Sequence, residues 1–457
     1  MKHIPNSLEA RDIAYHFHGY TNAIAHAETG PIIIDKGDGI YVYDTNGNRY
    51  IEALSGLWGV AVGFNEPRLT KVATKQMNTL PFYHNFGHKS HRPAIDLAEK
   101  LISLAPVKMS KVFFTNSGSE ANDTVLKMLW YRSNALGQPK CKKVIARLRG
   151  YHGVTIASGS LTGLPNNHQS FDLPIDRVLH TTCPHYWKDA QPGETEEEFA
   201  SRCANDLETL IETEGPETIA AFFAEPVMGA GGVVVPPNTY WEKIQRVLNK
   251  HDILLVADEV ICGFGRTGNM FGSHTFEIKP DVMVMSKQIT SSYVPFAAFM
   301  MNDRFYEPIA EESGRIGTLG HGYTAGSHPL CAAVALENIT IIEERKLVQN
   351  AYLIGDSFRK KLSSLQDYPL VGEIRGVGFI AALELVNDKK NKSVTGPVGY
   401  LGGLMNAALQ RNGAISRNLG DAVAFCPPLI TTEEQADDLF IIIKKSLEDI
   451  IQTTNGN

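Results

Sequence analysis

The six cysteines of this chain, Cys141, Cys183, Cys203, Cys262, Cys331 and Cys426, never stand as a C-x-x-C pair, so neither a zinc ribbon nor a redox dithiol is signalled. A chain of 457 residues can bury a core without disulfide staples, and the thiols read as reduced. Long hydrophobic runs are missing as well. No stretch approaches the roughly 20 apolar residues of a membrane span, and MKHIPNSLEARDIAYHFHGYTNA at the N-terminus has no apolar core of signal-peptide length. These absences set the expectation of a cytoplasmic protein with no membrane partner. Basic clusters are missing too: 43 Lys and Arg are interspersed with 50 Asp and Glu for a net charge of −7, so no nucleic-acid partner is expected. There is no internal repeat or low-complexity tract, and no metal-binding set is assigned.

What is present has a clear order. Ile40 to Tyr43, the turn Asp44-Thr45-Asn46-Gly47 and Arg49 to Glu52 read as a β-hairpin, because Asn-Gly supplies the positive φ a tight turn needs. The apolar spacing of residues 92–104 predicts an amphipathic helix. From about residue 110, short apolar strands alternate with helical stretches: KVFFT (111–115), KVIAR (143–147), IAAFFAEP (219–226), ILLVADEV (253–260) and DVMVMSK (281–287). Near-continuous apolar strands separated by helices indicate an α/β fold with a mainly parallel sheet buried on both faces. Ligands of such sheets lie beyond the carboxyl ends of the strands, where Asn116, Arg149, Glu225, Asp258 and Lys287 follow. After about residue 335 the pattern becomes helix, strands and a last helix, with capping-box spacing at Thr431-Thr432-Glu433-Glu434. Residues 76–335 are expected to form a large domain, 336–457 a smaller α+β domain, and 1–75 an N-terminal segment that joins the small one.

Four segments carry candidate chemistry, and each has a plainer reading when taken alone. Asp258, in VADEVICGFGRTG, ends an apolar strand, where a carboxylate needs a cationic partner such as a protonated pyridine nitrogen. Strand-end aspartates also serve as turn formers. Lys287 follows the next strand between Met285 and Ile289; desolvation there would lower its pKa and make it nucleophilic. A lone lysine at a sheet rim more often snorkels to water. In TNSGSEAND, Gly118 and Ser119 open a helix whose backbone N–H groups could receive a phosphate, although no Walker A lysine follows. In RLRGYHGVT, Tyr151 could lay its ring on a cofactor or pack as an ordinary loop aromatic.

The order phosphate loop, aromatic, carboxylate and lysine is what distinguishes the sequence. NSGSEAND, YHGVT, FFAEPVMGAGGVVVPP, ADEVICGFGRTG, SKQITSSYVP and HGYTAGSHPLCAAVALENI closely resemble the motifs of class III (ω-type) aminotransferases of pyridoxal-phosphate fold type I. The resemblance runs from HFHGYTNA to CPPLITTEEQ and looks closest to the amine:pyruvate branch. It implies a large domain with a mainly parallel seven-stranded sheet plus a smaller α+β domain. It implies pyridoxal 5'-phosphate as cofactor, held by Lys287 as a Schiff base, with Lys287 then moving the proton. Asp258 would pair with the pyridinium nitrogen. Val260 and Tyr151 would contact opposite ring faces, and Gly118 and Ser119 would bind the phosphate. Thr324 would reach in from a neighbouring subunit, which makes a homodimer obligatory and leaves a homotetramer open. Glu225 is expected near the cofactor, either pairing with Arg417 or Arg266 or ordering the loop.

For the substrate, the resemblance implies aromatic walls at Tyr20, Trp58 and Phe86, beside Tyr151, and a mobile Arg417 for the keto acid's carboxylate. The implied reaction moves an amino group from an amine or ω-amino acid to pyruvate, giving L-alanine by a ping-pong mechanism. Gln288 departs from the pattern, since many relatives have glycine after the lysine. Aminomutase, racemase or decarboxylase chemistry on the same scaffold is the alternative, because fold does not dictate reaction. A nicotinamide oxidoreductase is disfavoured: no G-x-G-x-x-G follows the first strand. A non-catalytic binding protein would hold no chromophore and be indifferent to replacement of Lys287.

Overall fold

A computed structural model describes residues 4–455. Seven strands form the central sheet: β1 (Lys111–Thr115), β2 (Lys143–Arg147), β3 (Val178–Thr181), β4 (Ile219–Ala224), β5 (Leu254–Asp258), β6 (Val282–Met285) and β7 (Ala297–Met301), in the spatial order β1-β7-β6-β5-β4-β2-β3. From β3 across to β6 every pairing is parallel; β7 alone runs against both its neighbours. Every residue of β4 to β7 is buried, which is why β4, β5 and β6 read as near-continuous apolar runs. Period-2 alternation still sorts them. Phe223 packs with helices Gly118–Ala135 and Asp303–Ile316, while its neighbour Phe222 packs with Glu196–Glu214 and Tyr240–Lys250 on the other face.

Two strands of the sheet are not among those read from the sequence. β3 is an edge strand with half-buried Leu179 and His180 at its centre, so its apolar signal is diluted. β7 follows β6 too closely for a helical crossover, and the short return makes it antiparallel. The predicted strand ends also run one or two residues long. Glu225 turns out of the ladder to accept backbone N–H groups, the ladder of β5 stops at Asp258, and Lys287 leaves with φ +48°.

A second sheet joins the chain's two ends: Ile34–Asp38, Tyr41–Asp44 and Arg49–Glu52 run antiparallel, and Ala414–Ile415 adds parallel to the last. The hairpin turn is wider than a two-residue Asn-Gly turn. Asp44 Oδ1 accepts from the N–H groups of Asn46 and Asn48, both at 2.9 Å, and Gly47 alone takes positive φ, +82°. A third, antiparallel sheet contains Val371–Val377, Ile380–Leu385, Ala422–Phe425 and Arg417–Leu419. The last helix, Glu433–Asn455, is capped one residue later than expected. Thr432 Oγ1 accepts from Gln435 N and Gln435 Oε1 accepts from Thr432 N, so the reciprocal pair is Thr432 and Gln435 rather than Thr431 and Glu434.

Arg266 fastens these parts together. Its guanidinium is fully buried; Nη1 donates to the carbonyls of Phe379 (2.9 Å) and Pro427 (2.6 Å), and Nη2 to Ser55 Oγ (3.2 Å) and Gln288 Oε1 (3.4 Å). Gln288 in turn donates through Nε2 to the carbonyls of Ile261 and Gly263. The side chain that glycine would lack therefore ties the lysine turn to the loop after Asp258. Replacing Arg266 by Met should leave two buried carbonyls unpaired and cost about 3 kcal/mol. A urea midpoint equal to that of the parent, with an unchanged slope, would rule this out.

Candidate active site

Five of the sheet's carboxyl ends converge on one cleft. Gly118 and Ser119 follow β1, Tyr151 follows β2, Glu225 follows β4, Asp258 ends β5, and Lys287 stands two residues past β6. The parallel run of β2 to β6 is what brings these residues to one edge, since parallel strands share a direction.

The floor is the Asp258 carboxylate. It is 3 % exposed, yet three donors reach it: His152 Nδ1 and Asn122 Nδ2 at 2.8 Å on Oδ2, and Val260 N at 3.1 Å on Oδ1. Donation by His152 requires its proton on Nδ1. Asn122 Nδ2 also donates to the His152 carbonyl at 2.8 Å, which locks the strand and helix contributions together. Oδ1 keeps a lone pair for one further N–H donor. His152 Nε2 and Asn122 Oδ1 are buried without a partner among the described residues.

Opposite the floor, helix Gly118–Ala135 begins with Ser117 as its cap, Ser117 Oγ accepting from Glu120 N. The N–H groups of Gly118 and Ser119 lie in the first turn, where no intrahelical acceptor exists. A Cβ on Gly118 would come 3.3 Å from Val260 Cγ2, narrowing the slot between helix and floor. Gly153 has φ +134°, and a Cβ there would sit 2.4 Å from Ser158 Oγ and 2.6 Å from Ser119 Oγ. Close approach of the two loops thus depends on glycine. A helix start with free N–H groups and small side chains is suited to an anion.

Burial, the largest influence, holds the half-buried Lys287 ammonium below the ordinary lysine value; the Asp258 and Glu225 carboxylates oppose it, and the Arg417 cation adds to it. Burial also pushes the Glu225 carboxyl up. Glu225 pairs with neither Arg417 nor Arg266: Oε1 accepts from Tyr151 N (3.0 Å) and Oε2 from Gly229 N (2.8 Å), so it orders the loops around the cleft. The Tyr151 phenol is raised by burial and then by the adjacent Tyr20 phenol.

The residues implied for the substrate divide into two groups. Arg417, on its short strand, has its guanidinium 5.6 Å from the centre of the Tyr20 ring, with Tyr151 beside them, and none of the described ion pairs involves it. Trp58 is buried with φ +67° against Leu54, Val227, Ile261 and Cys426, while a Cβ on the next residue, Gly59, would be 3.5 Å from Lys287 Cβ. It therefore backs the cleft rather than lining its open part. Phe86 and Thr324 are not brought to this cleft within one chain. Phe86 lies against Gly322 in a separate surface groove, and Thr324 is exposed near it.

Sequence reasoning passed over Asn122 and His152, although both lie inside quoted motifs. A signal existed: Asn122 interrupts the apolar face formed by Ala121, Val125, Leu126 and Leu129, and a buried amide needs a partner. Of the polar residues noted after the strands, Asn116 is consumed by its helix, donating twice to Glu120 Oε2. Arg149 turns away to His185 and the Gly231 carbonyl.

What such a cleft fits is a flat, cationic heteroaromatic ring that ends in a phosphate and offers an aldehyde to an amine, as pyridoxal phosphate does. A family profile described as Aminotransferase class-III matches residues 23–447, and the chain belongs to that family, whose members work with this cofactor. Among curated proteins it is 50% identical over 431 residues to "Gamma aminobutyrate transaminase 1, mitochondrial" of Solanum lycopersicum, covering 94% of this chain and 84% of that one. A solved transaminase with bound L-alanine is 64% identical, with a TM-score of 0.92, covering 93% of this chain and all of the other. A thermostable omega transaminase variant, W58M/F86L/R417L, engineered for asymmetric synthesis of enantiopure bulky amines, is 58% identical with a TM-score of 0.97, covering 98% and 99%.

Two expectations follow from the geometry. In cofactor-free protein, Lys287 should react with an amine-directed acylating reagent at lower pH than surface lysines, because a lowered pKa frees the neutral amine earlier; Lys287→Ala should remove that early-reacting class. His152→Phe keeps the ring and removes the Nδ1–H, and should weaken cofactor retention about tenfold, since a hydrogen bond to a charged group contributes roughly 1.5–3 kcal/mol. An absorbance titration giving the parental Kd would contradict the role assigned to His152.

Proposed function

We propose that this aminotransferase takes an amino group from a small amine or ω-amino acid and delivers it to pyruvate, releasing L-alanine by a ping-pong cycle. The observation that carries the reading is Arg417, a cation free of carboxylate partners in the described ion pairs, set beside Tyr20 and Tyr151 and near enough to Lys287 to lower its pKa. Such a guanidinium can clamp the carboxylate of a keto acid with two parallel hydrogen bonds. The L-alanine bound to a 64%-identical transaminase supports the pyruvate–alanine pair. The W58M/F86L/R417L variant of another relative supports roles for Trp58, Phe86 and Arg417 in choosing the amine.

When bound, pyridoxal phosphate supplies an aldehyde that receives the amino group and a protonated ring that draws electrons from the adjacent carbon. The chain's own residues do the rest. Lys287 Nζ, neutral more readily than an ordinary lysine, would hold the cofactor and serve as the base that moves the substrate's proton. Asp258 would accept the ring N–H, with His152 and Asn122 holding its Oδ2. Gly118 and Ser119 receive the phosphate through backbone N–H groups. Arg417 binds the acceptor's carboxylate and swings away when an apolar amine enters. Phe86 and Thr324, on a separate face, complete the cleft of a second copy, so the active unit is a homodimer. The six free cysteines are consistent with a reducing compartment, and we place the enzyme in the cytoplasm on that ground.

The name of the tomato relative favours γ-aminobutyrate as one donor to include. The deciding experiment follows the visible band of the purified enzyme. Amine should bleach it, pyruvate should restore it, and L-alanine should appear in equal amount; aminomutase, racemase or decarboxylase chemistry would give no such alanine. Arg417→Ala should raise KM for pyruvate about 10- to 100-fold, the equivalent of roughly 1.5–3 kcal/mol, while leaving KM for an apolar amine near its parental value. A band restored by another keto acid but never by pyruvate would overturn the acceptor assignment.

A further inference from the structure

Ahead of the first sheet lies a side-chain cluster that the reaction does not use. Helix Leu8–Tyr15 carries Asp12 and ends at His16, four residues on; the chain continues through Phe17 to His18, and helix Ala23–Thr29 brings His26 back. Asp12 Oδ1 lies 3.2 Å from His16 Nδ1, and Oδ2 lies 2.8 Å from His18 Nε2 and 3.0 Å from His26 Nε2. One ligand atom from each of Asp12, His16 and His18 lies within 4.8 Å of the other two. The imidazoles crowd one another as well, with centroids 4.2 Å apart for His16 and His18 and 4.3 Å for His18 and His26.

Hydrogen bonds alone explain this poorly. Ion pairs at a protein surface contribute little, and ordering three rings around one carboxylate costs side-chain entropy. A metal–ligand distance of about 2.0–2.1 Å separates neighbouring ligands of a tetrahedral ion by roughly 3.3 Å, close to the 2.8–3.2 Å found here. Two other groups of similar composition lack this freedom. Around His185, Glu373 and Glu384, the Arg375 guanidinium already donates to both carboxylates. At Glu208, Glu212 and His251, Lys250 occupies Glu208. Asp12 has only histidines among its described ion-pair partners.

We propose that Asp12, His16 and His18 bind a divalent first-row cation of the zinc type, with His26 poised as a fourth ligand. Imidazole donors with one carboxylate suit Zn²⁺ and its neighbours rather than Mg²⁺ or Ca²⁺. No metal was expected from the sequence: Asp12, His16 and His18 follow no established ligand spacing, and His26 comes from a second short helix. Tyr20 lies inside the ligated stretch, between His18 and His26, and its ring meets Arg417. The ion would therefore staple the segment that presents Tyr20 to the cleft.

The test uses cofactor-loaded enzyme stripped of metal with a chelator. Equilibrium dialysis against Zn²⁺ should give one saturable equivalent per chain, lost in His16→Ala/His18→Ala and retained in His251→Ala. Neither helix contains a buried residue, so these substitutions leave the fold intact, which circular dichroism would verify. Zn²⁺ should also slow proteolysis between residues 16 and 26 several-fold in the parent and not in the double variant. Absence of a saturable equivalent, or one that survives the double substitution, would overturn the proposal. Both readouts follow the cation rather than turnover, so their failure is separable from failure of the transaminase reading.

Discussion

A carboxylate buried at the end of a strand organises this molecule's chemistry. The Asp258 carboxylate is tolerable at 3 % exposure because His152, Asn122 and the Val260 N–H meet it. Those donors come from three separate stretches: the helix after β1, the loop after β2 and the turn after β5 itself. Satisfying one charge thus draws together the segments that also form the anion cradle and carry Tyr151. Oδ1 keeps room for one further donor, and a cationic ring would supply it.

The sheet supplies the direction. Because β2 to β6 run parallel, Glu225, Asp258 and Lys287 emerge at one edge without any long loop having to carry them there. The lysine needs the most support, since it begins a turn in the left-handed region. Gln288 provides it, gripping the Ile261 and Gly263 carbonyls on one side, while Asn338 Nδ2 donates to the Gln288 carbonyl on the other. Desolvation and geometry then act on the same group: the backbone that fixes where Lys287 points also limits the water that could keep it charged.

Legibility in the sequence followed burial. The helix over 92–104 and strands β1 and β2 stand where their apolar patterns put them, because a face that must be dry leaves a periodic trace. β3 left no such trace at the half-buried edge, and β7 could not be oriented from composition alone. Lys287, Asp258, Tyr151, Gly118 and Ser119 were legible as a set, since each lies in a quoted motif and four weak signals in one chain resemble the family's order; the sheet then brings them to one cleft. His152 and Asn122 were not, because their task is to hold Asp258 and only three-dimensional proximity reveals that. Phe86 and Thr324 were legible by resemblance, yet one chain alone does not bring them to Lys287.

The fastening by Arg266 bears on how the molecule comes apart. Its guanidinium bridges carbonyls of the C-terminal part, a serine of the N-terminal segment and the side chain that props the lysine turn. Local openings in proteins normally begin where few bonds cross between regions. Here one side chain joins segments distant in sequence and also touches the support of the Lys287 turn. A change that frees Arg266 would therefore disturb the Gln288 side chain that props Lys287 as well as the contact between these segments.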